Sequence, residues 1–172
     1  MKISYSPTPL EAWISHFYRQ LGITSPVELD EQRIARSLDI YLIYKEIPSM
    51  AYELGRFKSI TIDKRLPLFI QREHFYHELC HILRHSGRQI MMPAAFRELQ
   101  EWDARNFTRY AALPFHMLSN LEFDQPGIIE ELSTQFGVTP VLCEDRLIRI
   151  REKVLRSAHV TKPNQFLSFD IM

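Results

Sequence analysis

A chain of 172 residues with 45% hydrophobic and 24% charged residues has the composition of one globular domain, or one domain with a small appendage, and excludes a disordered or fibrous chain. Lys plus Arg balances Asp plus Glu at 21 each, so net charge gives no reason to expect nucleic acid or an anionic membrane as partner. No stretch has the apolar length of a membrane span, no charged leader precedes an apolar run, and the two cysteines form no C-x-x-C pair; the expected setting is the reducing cytoplasm.

Leu10, Trp13, Ile14, Phe17, Tyr18 and Leu21 recur at helical spacing between Pro9 and Gly22, which predicts a first amphipathic helix over 8–21. Ser25-Pro26 with Leu29, Ile34 and Leu38 predicts a second, shorter helix ending near Leu38. The period then changes. Residues 39–44, 51–54 and 57–63 are rich in β-branched and aromatic residues, with a turn at Gly55-Arg56, and predict a small antiparallel sheet. A long helix follows from about Pro67 to Arg84, and another after the break at Pro93, closed by Leu113-Pro114. The last unit pairs a helix carrying Ile128, Ile129, Leu132 and Phe136 with a second one that starts at Thr139-Pro140, after a turn at Gly137. It has the outline of a DNA-reading helix-turn-helix. However, Arg146, Arg149, Arg151, Lys153 and Arg156 alternate with Glu144, Asp145 and Glu152, which reads as a solvated face of a unit packed on the same domain, with no direct contact to nucleic acid. The expected organisation is a mostly helical α+β domain over 1–125, this unit over 126–156 and a weakly ordered tail over 157–172.

The chemistry is concentrated in His77-Glu78-Leu79-Cys80-His81 on the long helix. Two histidines four apart are offset by only about 40° around a helix axis, so their imidazoles can share one ion. Glu78 follows the first histidine and can act as general base without ligating, the arrangement of H-E-x-x-H metallopeptidases. About 0.02 such motifs are expected by chance in a chain of this composition. Catalytic zinc takes three protein ligands and leaves a position open. His85 continues the series but lies two turns from His77, about 12 Å away, too far to share the ion. The next helix offers Glu98, Glu101 and Asp103. Glu101 shares a stripe with the small residues Ala104, Thr108, Ala111 and Ala112, which lets two helices approach closely and favours it as the third ligand, with Asp103 as the alternative. His74 and His85 read as solvated or hydrogen-bonded side chains, and Tyr110 and His116 are the candidates for stabilising an oxyanion. An edge of the sheet beside such a site can hold an extended peptide by strand addition.

These residues resemble a family. His77-Glu78-Leu79-Cys80-His81 with His85, then Glu101-Trp102-Asp103-Ala104 with Phe107 and Leu113-Pro114, is similar to the ImmA/IrrE metallo-endopeptidases, as are Phe136-Gly137-Val138-Thr139-Pro140 and Arg146-Leu147. Cys80, Arg105 and Thr108-Arg109 stand where that pattern has a small residue, Asn or Asp, and Ala-Ala. The resemblance implies a zincin-like fold and a zinc ion held by His77, His81 and Glu101, with Glu78 as base. It also implies cleavage of a protein partner, a helix-turn-helix repressor of a mobile element or stress response. The alternative is a non-catalytic regulator that binds such a partner with a structural or vacant metal site.

Overall fold

The computed structural model describes residues 5–85, 93–118 and 122–160; the expected tail lies outside them from residue 161 on. Helix α1 (Pro9–Gln20) starts where Thr8 and Glu11 form a capping box and buries Ile14 and Tyr18, whose hydroxyl donates to the Ala111 carbonyl at 2.9 Å. The single helix expected over the next segment is divided. A 3-10 turn (Pro26–Glu28) ends at Leu29, and Asp30 caps α2 (Glu31–Ser37) by accepting the Arg33 N–H at 2.6 Å. The division is local chemistry: the Glu28 carboxylate gathers the Thr24 and Ser25 amides, closing one turn before Asp30 opens the next.

Strands β1 (Ile40–Lys45), β2 (Met50–Leu54) and β3 (Phe57–Asp63) form a three-stranded sheet in the order β1-β3-β2. The α+β class holds, but the sheet is mixed rather than antiparallel. β2 and β3 form the expected hairpin, with Gly55 at a φ of +60° in its two-residue turn, whereas β1 runs parallel to β3. Residues 46–49 cross the end of β3 to reach its far side, a span of two strand spacings or about 10 Å that four residues cover easily. The crossing is pinned where the Asp63 N–H donates to Ser49 Oγ at 3.0 Å and the Lys64 N–H to the Lys45 carbonyl at 2.9 Å.

Helix α3 (Leu68–Arg84) lies against β2 and β3 and contributes Phe75, Tyr76 and Leu79 to the core with Ile60 and Ile62. Helix α4 (Ala94–Ala112) packs along α3, burying Ala104, Thr108, Ala111 and Ala112, the small-residue stripe that permits the close approach. Leu113 caps α4, and the short α5 (Phe115–Leu118), not foreseen in the sequence, follows Pro114.

Helix α6 (Ile128–Phe136) turns at Gly137 into α7 (Pro140–Val160). The turn is fixed to α3 at two points: Arg72 donates to the Phe136 carbonyl at 2.7 Å, and the Thr139 N–H donates to Glu73 at 2.7 Å. Gly137 has a φ of +64°, and a Cβ there would come within 2.7 Å of the Arg72 guanidinium, so glycine serves both the turn and the contact. The basic residues of α7 are committed inward more than their alternation with acids suggests. Arg146 is fully buried and pairs with Glu11 at 2.6 Å, Lys153 reaches the other Glu11 oxygen at 2.8 Å, and Arg151 donates to the Phe123 carbonyl at 3.0 Å. Burial opposes ionisation of Glu11, but the Arg146 charge, with Lys153 and the Thr8 amide, outweighs it and holds the carboxyl down at about 2.

Candidate metal centre

Helix α3 is two-faced. Phe75, Tyr76, Leu79, Cys80 and Ile82 are buried, while His77, Glu78 and His81 stand half-buried on the side toward α4 and β2. His77 Nε2 and His81 Nε2 approach each other to 3.2 Å, and the Glu101 carboxylate reaches across from α4 to 3.1 Å from the first and 3.4 Å from the second. Bonds of about 2.0–2.1 Å in a tetrahedral zinc site set its ligand atoms roughly 3.4 Å apart, so the nitrogen and oxygen donors have the spacing and chemistry that zinc requires. Burial lowers the pKa of both histidines, in His81 to about 4 with help from the neighbouring imidazole, so both are neutral with lone pairs available at neutral pH.

Glu78 stands beside this trio, outside it. Burial pushes its carboxyl up to about 7, an N–H from Ala51 on edge strand β2 works against the rise, and the Glu101 charge adds to it. His77 of the trio and Glu78 line a cleft of about 580 Å³, with Ser49, His74, Arg105 and Thr108 among others. His74 is no candidate ligand: its Nδ1 lies 2.9 Å from Ser49 Oγ, at the loop that crosses β3. Arg105, one turn beyond Glu101, brings a positive charge into the cleft with no carboxylate partner among the described residues.

The alternative ligand, Asp103, faces elsewhere. It takes the Arg84 guanidinium on both oxygens, at 2.8 and 3.3 Å, and His85 Nε2 at 3.1 Å, with the Cys80 thiol at 3.8 Å. Burial opposes its ionisation, but the hydrogen bonds from Arg84 and His85 keep its carboxyl below the ordinary value. Cys80, buried beside it, is held as the thiol by that burial. Asp103 lies two positions after Glu101, a rotation of about 200° on a helix, which is why only one of them can face His77. His85 is likewise outside the trio, although its Nδ1 lies 2.9 Å from His81 Nδ1.

Neither sequence candidate for oxyanion stabilisation lines the cleft. The Tyr110 ring is covered by the Arg146 guanidinium at 4.7 Å, and His116 packs against Tyr18 at 6.4 Å. Both are drawn into the core among α1, α4 and α7. Arg105, which the sequence marked only as a departure from the family pattern, lines the cleft instead, and its i+4 spacing from Glu101 was the signal for that placement.

Two imidazoles and a carboxylate converging beside a half-buried glutamate, in a cleft edged by a strand, define a metallopeptidase-like domain. Residues 35–147 match the peptidase M78 family, described as the IrrE N-terminal-like domain. The uncharacterized protein YqaB of Bacillus subtilis (strain 168) is 35% identical over 145 residues, covering 83% of this chain and 84% of its own. The phage-like element PBSX protein XkdA of the same organism is 35% identical over 140 residues, 80% of this chain and 71% of its own. No solved structure matches the chain. The chain belongs to the peptidase M78 family of IrrE N-terminal-like domains. Among the described residues, no helix is long and apolar enough to cross a membrane.

Proposed function

We propose that the protein is a cytoplasmic zinc-dependent endopeptidase that hydrolyses a peptide bond in one partner protein, a helix-turn-helix repressor of a mobile element or stress response. The observation that carries this reading is the convergence of His77, His81 and Glu101 to 3.1–3.4 Å with Glu78 at their side. His77, His81 and Glu101 would hold the zinc ion, which would supply Lewis acidity and make a nearby water more acidic. Glu78 takes the proton of the attacking water and returns it to the leaving amine. Its carboxyl near 7 without a cation is suited to that exchange, and a cation close by favours the ionised form that accepts the proton. Arg105 faces the negative charge that develops on the scissile carbonyl oxygen. An extended substrate segment adds to the free edge of β2, which brings its backbone along Ala51 to Glu78. The mobile-element setting draws support from the relative that is a phage-like element protein.

The test is co-expression with a repressor encoded beside the gene. Glu78→Gln is expected to keep one equivalent of zinc and to stop cleavage; cleavage at the wild-type rate removes Glu78 from the base role. His77→Ala/His81→Ala separates the enzyme from a non-catalytic regulator. Equal inactivation of the repressor by that variant and by wild type, with the repressor intact, establishes the regulator instead.

A further inference from the structure

We propose that His85 and Asp103 are positioning residues that, through a hydrogen-bonded chain, fix the tautomer of His81 and thereby set the affinity of the centre for its metal. This rests on the reading of His77, His81 and Glu101 as ligands. The chain runs away from the cleft: His81 Nδ1 lies 2.9 Å from His85 Nδ1, and His85 Nε2 lies 3.1 Å from Asp103 Oδ2. Each ring can carry its proton on only one side in the neutral form. Ligation through His81 Nε2 leaves its proton on Nδ1, which donates to His85 Nδ1. That nitrogen must then be the acceptor, so the His85 proton sits on Nε2 and donates to the Asp103 carboxylate. One assignment satisfies all three side chains, and it presents the His81 lone pair to the metal.

The end of the chain is anchored. Arg84 holds both Asp103 oxygens and the Cys80 thiol approaches the same carboxylate at 3.8 Å, so Asp103 stays ionised and fixed in rotamer. Donation from His81 Nδ1 raises electron density at Nε2 and makes it a better ligand, as carboxylate partners do for metal-bound histidines in general. His85 thus lengthens the usual pair by one imidazole. Cys80, His85 and Asp103 also lie close enough to hold an ion of their own. The Arg84 guanidinium already occupies the carboxylate such an ion would need, and its charge repels a cation, which favours the hydrogen-bonded chain.

The test measures zinc affinity by competition with a chromophoric chelator, together with ring tautomers from long-range 1H–15N spectra of the zinc-loaded protein. Wild type is expected to bind one equivalent, with His81 protonated at Nδ1 and His85 at Nε2. His85→Ala is expected to weaken binding about 10- to 100-fold. His85→Gln, whose amide can both accept from His81 and donate to Asp103, recovers most of that loss, which a merely structural role would not predict. Adding Asp103→Ala to His85→Ala costs little more, because the two act in series. Unchanged affinity in His85→Ala, or a His85 proton on Nδ1, overturns the chain while leaving the metal centre standing. A second equivalent of zinc lost with Cys80→Ser overturns it in favour of a second metal site. Absence of zinc from folded wild type overturns both the chain and the proposed function.

Discussion

Two carboxylates show how differently the same residue type is used in one fold. Glu11 is sealed at the junction of α1 and α7 with Arg146 at 2.6 Å and Lys153 at 2.8 Å, Thr8 donating from its backbone and the Tyr5 hydroxyl closing the other side. Every charge there has its partner inside the protein. Glu101 faces two imidazoles whose pKa burial lowers, at 3.1 and 3.4 Å, and the Arg105 charge acts on His77 from the cleft. Packing of α3 on α4 brings the three side chains together. The first cluster is closed by charges of the fold itself; the second brings together three donor atoms spaced as a metal ion would take them.

The largest effect expected from breaking this comparison is on the complete cluster. Glu11→Ala leaves the buried Arg146 and the half-buried Lys153 uncompensated and is expected to cost about 3–5 kcal/mol in urea unfolding, with zinc binding per folded molecule unchanged. Glu101→Ala is expected to do the reverse, removing zinc while moving the stability of the metal-free protein by less than about 1 kcal/mol. Equal destabilisation by the two variants would erase the distinction. Acid titration sharpens it. The folded pKa of Glu11, about 2, lies below its ordinary 4.5, so its contribution is fully present above pH 4.5 and lost as pH falls through about 2. Roughly 3 kcal/mol should disappear over that window, against a shallower dependence in Glu11→Gln. A parallel loss in both proteins would assign the acid sensitivity elsewhere. In the cleft, Arg105→Ala is expected to lower kcat about 100-fold, near 2.7 kcal/mol, with zinc affinity kept. A change confined to KM would make Arg105 a substrate-binding residue instead.

What could be read from the sequence was what depends on short separations. His77 and His81 share a helix face because of spacing alone, and the small stripe through Ala104, Thr108 and Ala111 foretold a side of α4 that would be buried. The strands and the β2–β3 hairpin were legible, but not the partner of β1: periodicity carries no information on whether residues 46–49 turn back beside β1 or cross β3. The same limit concealed Arg146. Its position among alternating charges on α7 resembles a solvated face, and only its pairing with a residue 135 positions away distinguishes it from Arg149, which stays near the surface with Asp145. The surroundings of Asp103, the less favoured ligand, and of Tyr110 were hidden for a related reason, since a helical stripe says which residues point together but not what awaits them.

The smallest effect expected lies at the rim of the Glu11 cluster and tests what holds it. Thr8 Oγ1 accepts the Glu11 N–H at 3.3 Å as the cap of α1 and donates to Glu11 Oε2 at 2.8 Å. Thr8→Ala removes both bonds but leaves the Thr8 backbone N–H on the same oxygen at 2.8 Å, along with Arg146 and Lys153. The expected cost is therefore that of a lost cap, about 1 kcal/mol in urea unfolding, and Thr8→Ser should restore it. A cost as large as that of Glu11→Ala would mean that the cap, and not the buried cations, orients the carboxylate. In that case the completeness of the cluster would begin with α1 itself, before α7 has docked.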